Sequence, residues 1–127
     1  MAIQRIGKTG RLSRVVVNER VAYFSGLTAD DKQQDLAGQT RQILAKAGDL
    51  LKEIRSNRSM LLSATIWLRD IADFDRMNSV WVDWIDKEEP PARATVQAAM
   101  GLPDILVEIQ FTAALPPGEF HGYRGPS

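Results

Sequence analysis

The sequence predicts an α+β fold in which a single mixed β-sheet carries two helices on one face. Two segments with helical spacing of apolar residues alternate with segments rich in β-branched residues. The resulting order is β-β-α-β-α-β-β, and such a sheet buries its apolar face when both helices pack against it. The chain has 127 residues, and we assign residues 1–115 to one domain.

The first elements form a β-hairpin. Arg14–Val17 and Val21–Phe24 are rich in β-branched and aromatic residues, and the polar residues 18–20 between them predict a tight turn. A short strand can precede the hairpin at Ala2–Ile6.

A long amphipathic helix follows the hairpin. Asp30 and Asp31 are candidate caps, and the helix is expected to end near Asn57. The apolar face comprises Leu36, Thr40, Ile43, Leu44, Ala47, Leu50, Leu51 and Ile54. The opposite, polar face comprises Gln39, Arg41, Lys46, Asp49 and Lys52.

The second half repeats the alternation of strand and helix. Met60–Leu68 predicts a strand, Asp73 is the expected cap of a second helix, and two more strands are expected at Arg93–Ala99 and Ile105–Ala113. The apolar stripe of the second helix comprises Phe74, Met77, Trp81, Trp84 and Ile85. Residues 116–127 form a tail rich in proline and glycine.

The strand phase of residues 61–68 predicts an apolar patch on the uncovered sheet face. One set of alternating side chains, which we expect to face the helices, comprises Leu62, Ala64, Ile66 and Leu68. The other set comprises Leu61, Ser63, Thr65 and Trp67. A tryptophan and a leucine on an open face favour a symmetric oligomer, while coverage of Trp67 by the tail is the alternative.

Composition restricts the function. The net charge is +0, from 16 basic and 16 acidic side chains, which argues against a general nucleic-acid binder. Cysteine is absent, so the chain has no thiolate metal ligand and no cysteine nucleophile, and the single histidine, His121, lies in the tail. We expect a cytoplasmic protein without a membrane segment, because no apolar run approaches the roughly 20 residues of a span.

Two charged residues suggest a site for a small acid. Pro90 and Pro91 make a rigid loop, and Arg93 follows at the start of a strand, where a guanidinium can bind a carboxylate through two hydrogen bonds. Glu108 lies inside the next apolar strand. Taken singly, each residue is more often an ordinary surface residue, so the argument rests on their combination.

These residues belong to motifs that resemble the RidA/YjgF reactive-intermediate deaminase family. Residues 91–96 read PARATV and residues 102–109 read LPDILVEI, as in the C-terminal signature of that family. Upstream, YFSG at 23–26, QTRQ at 39–42 and LRDIADFDRMN at 68–78 match in the same order. The resemblance covers roughly residues 12–115.

The resemblance implies a chorismate-mutase-like fold and a homotrimer with active sites between subunits. It also implies hydrolysis of 2-enamino and 2-imino acids, such as 2-aminoacrylate or 2-iminopropanoate, to 2-keto acids and ammonia. The partners are then a small 2-imino or 2-keto acid and other copies of the chain. The resemblance implies no metal and no organic cofactor, because the imine carbon is already electrophilic and the reaction needs little catalytic machinery.

The family motifs also imply residue roles. Arg93 matches the carboxylate-binding arginine, and Glu108 matches the glutamate that positions or deprotonates water. Three further positions, Ser25, Gly26 and Asn78, match residues that line or support the cleft. Asn78 is expected to support the Ser25 turn or the Arg93 loop, or else to be a helix-surface amide without a role.

Two departures from the family pattern stand out. Thr95 replaces a cysteine whose backbone N–H is expected to contact the substrate or water, and the N-terminal segment 10–14 lacks the family's tyrosine. These departures indicate a divergent subgroup. Two alternatives therefore stay open: a carboxylate-binding protein with little turnover, and an endoribonuclease-type translation inhibitor, which the balanced charge makes less favourable.

Overall fold

The computed structural model describes residues 2–117 and contains one six-stranded sheet. Along the sheet the strands follow the order β1-β2-β3-β6-β4-β5. The strands are β1 (Gln4–Ile6), β2 (Val15–Asn18), β3 (Val21–Phe24), β4 (Leu61–Leu68), β5 (Ala92–Gln97) and β6 (Val107–Ala114). Neighbours are antiparallel except β4 and β5, which are parallel, so the predicted mixed sheet is confirmed.

The two helices, α1 (Leu36–Glu53) and α2 (Phe74–Trp84), pack on one face of this sheet, as predicted. One continuous cluster of buried side chains joins both helices to the strands beneath them. Trp81 of α2 stacks on Phe111 of β6, with ring centroids 6.0 Å apart and ring planes inclined by 5°. The central strand β6 therefore anchors the second helix.

The cap of α1 differs from the prediction. Asp35, and not Asp30 or Asp31, is the cap, and its side chain accepts a hydrogen bond of 2.8 Å from the N–H of Gly38. Asp30 instead pairs with Lys46 at 2.9 Å, and this hydrogen-bonded ammonium lowers the pKa of Asp30. Asp30 and Asp31 thus form contacts within and around the loop that leads into the helix, and they do not cap it.

The helix also ends before the expected Asn57. The N–H groups of Arg55 and Ser56 bond to the carbonyls of Lys52 and Leu51, a Schellman motif. Arg55 takes the left-handed position with φ of 63°, which stops the helix. Asn57 caps the next turn through its own side chain.

Asp73 holds the N-cap position of α2 but makes no side-chain capping bond. The capping carboxylate is that of Asp70, which accepts from the N–H of Ala72 in a short 3₁₀ turn, Ile71–Asp73. Because this turn runs directly into α2, the cap lies one turn earlier than predicted.

A β-bulge changes the phase at the start of β4. The pairing of β4 with β6 shifts between Leu61 and Ser63, so Leu61 is buried and Leu62 is 45% exposed, the reverse of the prediction. From Ala64 onward the predicted phase is correct, and Trp67 lies on the uncovered face. That face also presents Tyr23 and Val96, 47% and 45% exposed.

Strands β5 and β6 are shorter at one end than expected. β5 ends at Gln97, and β6 begins at Val107 after a turn closed by the N–H of Ile105 and the carbonyl of Leu102. Residues 118–127 of the predicted tail lie outside the described residues. Within residues 2–117, neither helix has the length and apolarity that a membrane crossing requires.

Candidate active site

Arg93 lies on the helix-covered face of the edge strand β5. It aligns with buried Ala64 on β4, so its side chain points under α2. One guanidinium nitrogen, Nη1, donates a 2.7 Å hydrogen bond to Oδ1 of Asn78. The expected contact between Asn78 and the arginine is therefore present.

Two aromatic rings flank the Arg93 guanidinium. Its Cζ lies 5.6 Å from the ring centroid of Phe74 and 5.3 Å from that of Trp81. These rings favour a cation and restrain the side chain, while burial lowers the pKa of Arg93. No carboxylate among residues 2–117 lies within 4.0 Å of it. A partly buried positive charge thus lacks an acidic partner within the described chain.

Thr95 lies two residues further along β5 and on the same face. It aligns with Ile66, and its Oγ1 is buried without a hydrogen-bond partner among the described residues. A buried hydroxyl that is left unpaired lowers stability, since it has lost its hydrogen bonds to water. Arg93, Thr95 and Asn78 together form what we call the arginine cluster.

Glu108 lies on the other, uncovered face. It aligns with Trp67 on β4, whose neighbours in sequence point into the core. Leu27 exchanges backbone hydrogen bonds of 2.8 and 3.1 Å with Ile109, which draws the Ser25–Gly26 turn against β6. We call Ser25, Gly26 and Glu108 the glutamate cluster.

The carboxylate of Glu108 lies directly against Gly26. A Cβ atom added to Gly26 would overlap Oε2 of Glu108 and lie 3.0 Å from its Cδ. Glu108 is half-buried, and residues 2–117 provide it with no hydrogen bond or ion pair. This carboxylate is thus free to accept a proton or to orient water.

The six predicted site residues therefore form two clusters on opposite faces of the sheet. Within one chain the structure does not bring Arg93 and Glu108 together. The motifs place Arg93 and Glu108 on neighbouring strand segments. The face of the sheet from which each side chain leaves depends on the strand register, which the motifs do not give. Two surface grooves of about 370 and 380 Å³ lie between the helices around Trp84, and neither cluster lines them.

Two residues outside the predicted set hold the loop that joins β5 to β6. The side chain of Gln39 donates to the carbonyl of Asp104 at 3.0 Å and accepts from the N–H of Leu106 at 3.1 Å. Arg69 donates to the carbonyl of Ile105 at 2.9 Å and also to that of Leu102. These contacts tie the loop that precedes the strand bearing Glu108 to α1 and to the residue that follows β4.

The burial of Gln39 corrects its predicted position on the polar helix face. Gln39 is 0% exposed. The sequence contains a signal for this burial, because Gln39 lies three residues after Leu36 and four before Ile43, and both of these belong to the apolar stripe. Arg69 had no such signal, since its partners come from a distant loop.

Phe74 and Trp81 had been predicted as part of the apolar stripe of α2, and they also flank the Arg93 guanidinium.

The described part of the chain contains no group of three acidic or histidine side chains that could hold a metal ion.

Comparison with known proteins gives one consistent family. The family model described as "Endoribonuclease L-PSP" matches residues 2–115. A RutC family protein of Haemophilus influenzae is 40% identical over 114 residues, covering 89% of this chain and 98% of its own length. The RutC family protein YoaB of Escherichia coli is 37% identical over 115 residues, covering 91% and 100%.

Comparison with solved structures leads to the same family. A protein from Pseudomonas aeruginosa superposes with a TM-score of 0.88 at 32% identity, covering 91% of this chain and 100% of its own. A member of the YjgF protein family from Neisseria meningitidis superposes with a TM-score of 0.87 at 35% identity, covering 91% and 97%. With its sheet order, its helix placement and its sequence over residues 2–115, this chain belongs to the RidA/YjgF family.

Proposed function

We propose that this protein is a hydrolytic deaminase that converts 2-enamino and 2-imino acids, such as 2-aminoacrylate or 2-iminopropanoate, to 2-keto acids and ammonia. Family membership supports the reaction class. The observation that carries the proposal is the partly buried Arg93 guanidinium, held by Asn78 and without a carboxylate partner among residues 2–117. A cytoplasmic location is part of the proposal, because pyridoxal-phosphate enzymes release such intermediates there.

In this proposal Arg93 binds the substrate carboxylate. Asn78 accepts from one nitrogen of the planar guanidinium, which leaves the other donors for a two-point bond to an acid group. The flanking rings of Phe74 and Trp81 hold the guanidinium plane and exclude water from one side. The backbone N–H of Thr95 is the additional proposed contact to the ligand.

Glu108 acts on water in the same proposal. Attack of the water oxygen on the imine carbon forms the C–O bond and opens the C=N double bond, while Glu108 accepts one water proton and passes it to the nitrogen. When the resulting carbinolamine collapses, its hydroxyl proton moves to the nitrogen, the C=O bond forms and the C–N bond breaks, so ammonia leaves with both protons of the water. The turn at Ser25 and Gly26 lines the space beside this carboxylate. The substrate imine needs no further electrophilic activation, so the residues named are sufficient.

A complete site requires more than one chain, since the two clusters lie on opposite faces of the sheet. We therefore include a homotrimer in the proposal, with the arginine cluster of one subunit completed by Glu108 of the partner subunit. The uncovered face offers Tyr23, Trp67 and Val96 for this association. Burial of such apolar area is the expected driving force.

The decisive experiment separates binding from chemistry. We expect Arg93→Lys to damage substrate binding nearly as much as Arg93→Ala, because an ammonium lacks the planar fork that matches a carboxylate. The loss should be about 1.5–3 kcal/mol in binding. Glu108→Gln should retain keto-acid affinity but lose turnover, because an amide cannot accept the proton.

The assay couples the purified protein to a pyridoxal-phosphate lyase that makes 2-aminoacrylate and follows keto-acid release. Arg76→Lys is the matched control, since Arg76 lies exposed on α2 and pairs with Asp73 at the surface. Keto-acid binding without turnover in the parent would favour the carboxylate-binding alternative. Cleavage of RNA by the parent, lost in Glu108→Gln, would favour the endoribonuclease alternative. Undiminished hydrolysis by Arg93→Ala would refute the assignment of Arg93.

A further inference from the structure

Gly26 and Glu108 meet more closely than any side chain at position 26 would permit. The Leu27–Ile109 hydrogen bonds fix the turn on β6, so the backbone of Gly26 cannot move away from the carboxylate. Any Cβ at position 26 would occupy the place of Oε2 of Glu108.

The backbone conformation itself does not require glycine at this position. Among the described residues, the glycine with positive φ is Gly7, at 65°, and Gly26 is not in the left-handed region. The remaining reason for the absence of a side chain is therefore the space that the Glu108 carboxylate fills. Since no hydrogen bond or ion pair within residues 2–117 orients that carboxylate, steric contact with Gly26 defines its position.

We infer that Gly26 is a positioning residue, whose missing side chain places the Glu108 carboxylate where it can act on water. This inference rests on the proposed function and deepens it. The obstructed atom is the end of a flexible side chain, so a methyl group at position 26 can be accommodated by turning the carboxylate aside. Stability should then change little, while the proton acceptor leaves its working position.

The test is a double-mutant cycle of Gly26→Ala and Glu108→Gln. In the parent background, Gly26→Ala should lower kcat on the order of 100-fold, as a misplacement of about 1 Å can do, with KM nearly unchanged. In the Glu108→Gln background the same change should have little further effect on the residual rate, because no proton acceptor is left to displace. Equal losses in both backgrounds would overturn the inference, since Gly26 would then act through the backbone.

A second measurement does not depend on activity. With ¹³C-carboxyl-labelled glutamate, the Glu108 resonance is assigned by its loss in Glu108→Gln. Gly26→Ala should shift this resonance, whereas the control Gly48→Ala, whose added Cβ meets no atom within 4 Å, should not. An unchanged resonance would overturn the inference. If the parent does not hydrolyse imines, the proposed function fails, while this spectrum still decides whether Gly26 sets the position of Glu108.

Discussion

Among residues 2–117, the buried side chain of Gln39 should be a polar position at which truncation strongly lowers stability. Its Nε2 donates to the carbonyls of Lys32, Gln34 and Asp104 at 3.0–3.2 Å, and its Oε1 accepts from the N–H of Leu106. We expect Gln39→Ala to release the loop before β6, because no other side chain of α1 makes these bonds.

The magnitude follows from the number of bonds. Each net hydrogen bond contributes about 1 kcal/mol, and an N–H left unpaired costs about 1–3 kcal/mol. Water can replace Gln39 more readily at Gln34 and Asp104, which are exposed residues, than at the half-buried Leu106. Gln39→Ala should therefore lower the free energy of unfolding by about 2–4 kcal/mol, equivalent to roughly 10 °C in Tm.

Urea and thermal unfolding followed by tryptophan fluorescence at fixed protein concentration would measure this loss. Fixed concentration matters because an oligomer has a concentration-dependent Tm. The control is Gln33→Ala, the same truncation at an exposed loop position, which should stay within about 0.5 kcal/mol of the parent. Equal effects of the two truncations would refute the argument that Gln39 clamps the loop.

Three further changes test other parts of the structure. Thr95→Val removes the unpaired buried hydroxyl, so thermal unfolding should show equal or higher stability, by up to about 1 kcal/mol; a clear loss would reveal a partner for that hydroxyl. Gly48→Ala, inside α1 with open space at its Cβ, should raise stability by about 1 kcal/mol, and unchanged urea unfolding would contradict the helix-propensity argument. Trp67→Asp places a second carboxylate beside Glu108 on the uncovered face, so sedimentation should show monomers where the parent is trimeric; a monomeric parent would refute the trimer.

Periodicity was sufficient for the types and order of both helices and five strands, although several of their ends differ, and a sixth strand, β1, lies within residues 2–6, where a strand was only possible. It failed where a local hydrogen bond decided between similar residues. Asp35 caps α1 because its carboxylate reaches the N–H of Gly38, while the two earlier aspartates satisfy loop contacts. The exchanged burial of Leu61 and Leu62 results from a bulge, and a bulge leaves no periodic signal.

The candidate site also shows what sequence patterns alone cannot predict. Motif order identified both Arg93 and Glu108, but only the register of β5 and β6 against β4 reveals that their side chains leave opposite faces of the sheet. The pairing of Arg93 with Asn78 brings together residues 15 positions apart on different elements. The family resemblance had suggested the contact with Asn78, but the opposite directions of Arg93 and Glu108 are not encoded in the spacing of a single segment and required the folded arrangement.

Among residues 2–117 the last strand, β6, lies in the middle of the sheet, between β3 and β4. A nascent chain that ends before Val107 therefore holds two separate strand groups, each with an unpaired edge that can join other chains. The sheet can close only after β6 has been synthesised, and its pairings are then formed between distant segments. We infer that a pause in translation before residue 107 leaves both edges open to aggregation, and that pairing of β6 with β3 and β4 removes this risk.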